Sequence, residues 1–103
     1  MPFPAVEATW AAIRGGGLEL TLRSADFETE RIPVAFESDD DVHFASAGDL
    51  VFARAAGEVA VEDWYVWQGS RLLAYDKLDR PILLRAGERA TFPPGALKLE
   101  LRS

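Results

Sequence analysis

Alternation of apolar and polar residues runs through most of this chain. In the last row, Leu97, Leu99 and Leu101 fall on one side, and Lys98, Glu100 and Arg102 on the other. Period two marks a strand with one dry face and one wet face. Leu18, Leu20 and Leu22 alternate with Glu19, Thr21 and Arg23 in the same way, which predicts a strand over 18–23 with its leucines inward. The polar stretch 24–30 predicts a loop. Ile32, Val34 and Phe36 make a second inward row. Pro33 interrupts it, and proline cannot donate to a ladder, so this run is expected at an edge or with a bulge.

Further along, 42–46 and 49–54 predict a strand pair around Ala47-Gly48, with Val42 and Phe44 on one face and His43 on the other. The run EVAVEDWYVWQG holds two alternations out of step, Val59 with Val61 and Trp64 with Val66. One inserted residue near Glu62-Asp63 would reconcile them, so a β-bulge is expected there. Tyr65 and Trp67 lie on the face opposite Trp64 and Val66. Both faces of this strand are therefore apolar, and either a second layer covers the outer one or it is left for a partner.

Turns are expected at Gln68-Gly69-Ser70, around Asp79-Arg80-Pro81, at Ala86-Gly87-Glu88 and at Pro93-Pro94-Gly95. Their spacing is close to the roughly 8 to 12 residues of a sandwich or barrel. Ahead of the strands, 1–4 carries two prolines and predicts an extended arm. Residues 5–14 predict a short helix with Val6, Trp10 and Ile13 on one side, stopped by Gly15, Gly16 and Gly17. So short a helix needs a surface to pack on, and Trp10 is its expected anchor. The expected fold is an all-β antiparallel β-sandwich of about eight or nine short strands with one short N-terminal helix. The arm and helix occupy 1–17, and the sandwich domain occupies 18–103.

Composition narrows the picture. A chain of 103 residues suits one core, and 49% hydrophobic residues can fill it. Seventeen acidic residues against eleven basic ones give a net charge of -6, which argues against nucleic acid as a partner. There is no cysteine, hence no disulfide and no thiolate metal site. No apolar run approaches the roughly 18 residues that span a bilayer, so no membrane partner is expected. The N-terminus lacks the basic start and long apolar run of a signal peptide, so synthesis in the cytoplasm without an export signal is expected.

Candidate chemistry is sparse. The SDDD stretch at 38–41 lacks the alternating ligands, central glycine and distal glutamate of an EF-hand, and is expected to be a solvated turn. The glycine triplet follows a helix and has no P-loop lysine. His43 is the lone histidine, and sequence spacing builds no triad around it. Glu62 and Asp63 are adjacent in a strand and point to opposite faces, so they do not flank one bond. No catalytic, cofactor or metal residue is assigned, and the chain is not expected to be an enzyme. The residues expected to contact a partner are Phe3, Trp10, Trp64, Tyr65 and Trp67.

The segment 72–101 carries a resemblance. It contains LLAY at 72–75, Leu78 and Pro81, the Ala86-Gly87-Glu88 turn and the phrase FPPGALKLEL at 92–101. These are similar to the C-terminal phrase of a family of small tailed-phage virion proteins, described as tail-fibre or minor tail proteins and related to capsid-surface sandwiches. Upstream, LELTLRSAD at 18–26 and RIPVAF at 31–36 look like further parts of that pattern. The chain departs from it at VEDWYVW, where Asp63 stands in place of a recurrent histidine. The resemblance implies a structural component of a tailed-phage virion. Capsid decoration or a place on the tail would follow, with the major capsid protein or tail proteins as partners and homo-oligomers in the assembled particle. It implies no catalytic residue. The alternative is a carbohydrate- or protein-binding sandwich module, with Trp64, Tyr65 and Trp67 as the platform.

Overall fold

A computed structural model of the protein describes residues 10–100 except Asp26 and Asp41, and for Trp10 and Ala11 the backbone only. Among the described residues one helix, α1 (Trp10–Arg14), precedes nine strands. They are β1 (Leu18–Ser24), β2 (Phe27–Glu28), β3 (Ile32–Glu37), β4 (His43–Ala47), β5 (Leu50–Val51), β6 (Val59–Gln68), β7 (Arg71–Leu84), β8 (Thr91–Phe92) and β9 (Lys98–Glu100). Every pairing is antiparallel. The main sheet runs β7-β6-β1-β3-β4-β9 with β2 attached to β1, and β5 pairs with β8 separately. This is the all-β antiparallel fold that the alternation predicts.

The leucine rows do what their period requires. Leu18, Leu20 and Leu22 of β1 are buried, as are Val34 and Phe36 of β3 and Leu97 and Leu99 at β9. Burying a leucine or phenylalanine side chain contributes roughly 1.5–3 kcal/mol, so these rows are the main force closing the fold. Phe36 meets Trp64 across the interior, their ring centroids 6.5 Å apart. Ile13 of α1 is buried in the same core, which gives the short helix the surface it needs. The expected helical residues 5–9, the N-terminal arm and Leu101 lie outside the described residues.

Four local expectations are corrected. First, the stretch 24–30 is not all loop: β2 turns straight back on β1, pairing Arg23 with Glu28 and Ser24 with Phe27. Second, β3 is interior to the path. Its first half pairs with β1 over Ile32–Val34, and its second half pairs with β4 over Ala35–Glu37. Pro33 therefore sits where only one flank of the strand is laddered, a local edge inside an interior strand. Third, 42–46 and 49–54 do not pair with each other. β4 pairs with β3 and β9, while β5 pairs with β8. Buried Ser46 explains part of this, because its Oγ accepts from Leu97 N and its carbonyl accepts from Gly95 N, which draws the C-terminal segment to β4.

Fourth, no turn divides 71–84. β7 is one strand of 14 residues. The expected irregularity near Glu62-Asp63 is present, but the extra residues are on β7. Val61 pairs with Ile82 and Asp63 with Lys77, so Leu78 to Pro81 stand opposite Glu62. A second shift lies between Val66 and Trp67, where Leu73 is the extra residue. The turn joining β6 to β7 is Gly69-Ser70, and Gly69 holds the positive φ of 61° that such a tight turn demands.

Candidate functional site

The strongest surface constellation is on the outer face of β1, β6 and β7. The register sets Tyr65 beside Thr21 on one flank and Tyr75 on the other. Tyr65 and Tyr75 stack with centroids 5.1 Å apart, and Tyr65 and Trp67 with centroids 6.2 Å apart. From the β1 side the guanidinium of Arg23 lies 4.5 Å from the centre of the Tyr65 ring. Arg31 lies 4.5 Å from the centre of the Trp67 ring. It also donates to the Gly69 carbonyl and to Glu19, 3.3 Å away.

Beneath the rings, Thr21 is buried although the alternation of β1 turns it outward. Its hydroxyl accepts from Trp67 Nε1 at 3.1 Å and donates to Glu28 Oε2 at 2.9 Å. The aromatic row and the short β2 hairpin cover it. The outer face thus makes its own thin second layer of three half-buried rings roofed by two arginines. Arg23, Arg31 and Lys77 are offset there by Glu19, Glu28 and Asp63, so this face is close to neutral on a chain of charge -6.

A second cluster surrounds His43 on the exposed face of β4. Nδ1 lies 2.7 Å from Asp40 Oδ2, and Nε2 lies 2.9 Å from Glu100 Oε2. Asp40 belongs to the acidic turn, and Glu100 is the cross-strand partner of His43 on β9. Asp40 Oδ1 also accepts from the backbone N–H groups of Val42 and His43. The N–H of His43 is the foremost reason that the Asp40 carboxyl is held far below its ordinary range, followed by the imidazole and the Val42 N–H. Asp40 in turn pushes the His43 pKa up, with Glu100 adding to it and desolvation opposing it. Both ring nitrogens are engaged by carboxylates, so the imidazole offers no free lone pair to a substrate. The carboxylates sit at opposite nitrogens and share no point where a cation could meet all three groups. Among the described residues no group of three or more such side chains is placed to hold a metal ion.

The structure separates the expected contact residues. Tyr65 and Trp67 are on the outer face together. Trp64 is on the other side of β6, buried against Phe36 in the core. The Trp10 backbone begins α1, while Phe3 and the Trp10 side chain lie outside the described residues. Tyr75, Arg23 and Arg31 complete the face and were not singled out from the sequence. Hairpin counting from Gly69-Ser70 would put Ala74 opposite Tyr65, and only the extra residue at Leu73 brings Tyr75 there. Asp40 and Glu100 were likewise unassigned, because nothing in the sequence pairs β4 with β9.

Fold and site define an all-β domain with a self-roofed aromatic face and a histidine clasp. No protein-family model matches the chain, and no curated protein or solved structure matches it either. Among the described residues no helix is long and apolar enough to cross a membrane.

Proposed function

We propose that this chain is a non-enzymatic structural component of a tailed-phage virion, docked on the capsid surface or on the tail through the outer face of β1, β6 and β7. The observation that carries the docking is the row Trp67, Tyr65 and Tyr75 with Arg23 and Arg31. Tryptophan, tyrosine and arginine are the residues that dominate the energetics of protein interfaces. The near-neutral charge of that face lets another protein approach an otherwise acidic molecule. The virion setting is carried by the resemblance of 72–101, above all FPPGALKLEL. High copy number on a lattice would let weak contacts add.

The glycan-platform alternative has less support. Tyr65 has Tyr75 on one flank and Arg23 on the other, and Arg31 lies over Trp67, so a sugar would have to displace arginines to stack. Separating intact particles into heads and tails and locating the chain by mass spectrometry tests the proposal. Recovery in stoichiometric amount with either fraction is the expected result. Absence from washed particles would sink it, and binding on a glycan array that is lost in Trp67→Ala would favour the alternative.

A further inference from the structure

On the side of β6 opposite the aromatic face, a cleft of about 450 Å³ opens between the β6–β7 pair and the segment 92–98. Small-molecule sites run to roughly 300–1,000 Å³. Buried Trp64 and Leu97 lie at its base, with half-buried Ile82 and Phe92 as apolar walls. Asp76 lines it too and is the cross-strand partner of Trp64. Facing residues of an antiparallel pair share one side of the sheet, so the carboxylate is turned inward with the indole. Its Oδ1 accepts from Lys77 N at 2.8 Å, which fixes its orientation, and it forms no ion pair among the described residues.

Arg80 supplies the opposite charge. Asp63 pairs with Lys77 and Val61 with Ile82, so Lys77 to Ile82 covers only the length of Asp63 to Val61, roughly 7 Å. The excess, 78–81, folds out as a bulge and brings Arg80 back toward Asp76, where an unbroken strand would carry it roughly 13 Å away. Arg80 lines the same cleft, yet it forms no ion pair with Asp76, with Asp79 or with any other carboxylate among the described residues. Lys77 and Lys98 stand at the rim, where alternation turns their side chains to the outer faces of β7 and β9.

We propose that this cleft binds a small zwitterion with an apolar body, an α-amino acid of about leucine or phenylalanine size. Its ammonium would lie on Asp76, its carboxylate on Arg80 and its side chain against Trp64 and Leu97. Opposite charges that share a cleft without neutralising each other fit a ligand that carries both signs. A simple anion would meet Asp76 and Asp79, and a simple cation would meet Arg80 with the two lysines at the rim. The apolar base selects a ligand with a hydrophobic side chain. The site is separate from the proposed docking face and does not depend on it.

Titration of the whole chain with L-leucine and L-phenylalanine, followed by NMR, should shift the Trp64 indole and the amides of 76–82. A dissociation constant of about 0.1–1 mM is expected. N-acetyl-L-leucine lacks the ammonium, L-leucinamide lacks the carboxylate and glycine lacks the apolar side chain, and each should bind about ten-fold more weakly or worse. Asp76→Asn should abolish the preference for leucine over N-acetyl-leucine, and Arg80→Gln should abolish the preference for leucine over leucinamide. Arg80 is exposed, so its variant keeps the test decisive if Asp76→Asn does not fold. No shifts up to about 10 mM leucine, glycine or either blocked derivative binding as tightly as leucine, or a preference over leucinamide that survives in Arg80→Gln would each overturn the proposal.

Discussion

Glu100 Oε2 lies 2.9 Å from His43 Nε2 across the β4–β9 ladder, joining the last described strand to the sheet by side chains as well as backbone. Asp40 holds the other nitrogen, and Glu37, Asp39 and Lys98 line the same groove. The His43 pKa is raised above its ordinary 6.5, so its contribution to stability is complete below that value and is lost as pH rises through the raised one. The Asp40 pKa is depressed below 3.8, so its contribution is present above 3.8 and is lost as pH falls through the depressed value. The clasp is tightest between those limits. An NMR titration of the His43 ring should have its midpoint above 6.5 and move down in Asp40→Asn. Protection of β9 amides, corrected for intrinsic exchange, should weaken from pH 6 to pH 9 as the imidazole loses its proton. A titration midpoint at or below 6.5 would contradict this.

Thr21 is 1% exposed and is the acceptor for Trp67 Nε1. Thr21→Val keeps the shape and removes the hydroxyl, leaving a half-buried indole N–H without that partner. A cost of about 1–3 kcal/mol is expected, read as a lower denaturant midpoint at unchanged slope. An unchanged midpoint would mean that water replaces the hydroxyl.

Arg31→Ala should cost less, about 0.5–1 kcal/mol, because the guanidinium is partly exposed. It should nevertheless uncover Trp67. The expected sign is a red shift of tryptophan emission that disappears when Arg31→Ala is made in a Trp67→Phe background. A shift that persists there would place the effect at another tryptophan.

At Gly69, φ is 61°, and an added Cβ would meet nothing within 4 Å. Gly69→Ala should therefore cost only backbone strain, roughly 1–2 kcal/mol. Gly69→Asn should recover part of it, because asparagine tolerates the left-handed region. Thermal midpoints of the three proteins decide it, and equal midpoints would mean that the turn relaxes.

Leu20 is 0% exposed and Leu83 is 58% exposed. Leu20→Ala should lower stability by about 2–5 kcal/mol, and Leu83→Ala by no more than about 0.5 kcal/mol. Comparable losses at the two sites would contradict the placement of Leu83 on the surface.

The inward rows were legible because burial on one side imposes period two, and the leucines of β1 and β9 carry that period without interruption. The opposition of Trp64 to Tyr65 and Trp67 follows from the same geometry. Partner choice was less legible. The hairpin expected between 42–46 and 49–54 fails because adjacency in sequence is only one way to satisfy an edge. Ser46 and the Pro93-Pro94-Gly95 corner deliver β9 to β4 from about fifty residues away.

By itself, the sequence determined the strand faces, the tight turn at Gly69-Ser70 and the place of the irregularity near Glu62, all of them local consequences of side-chain alternation and backbone freedom. Tertiary structure alone decided which strands meet. A single extra residue at Leu73 moves Tyr75 in place of Ala74 beside Tyr65. The β4–β9 pairing sets Glu100 against His43. Both depend on register between distant segments, and register is fixed by how the whole core packs.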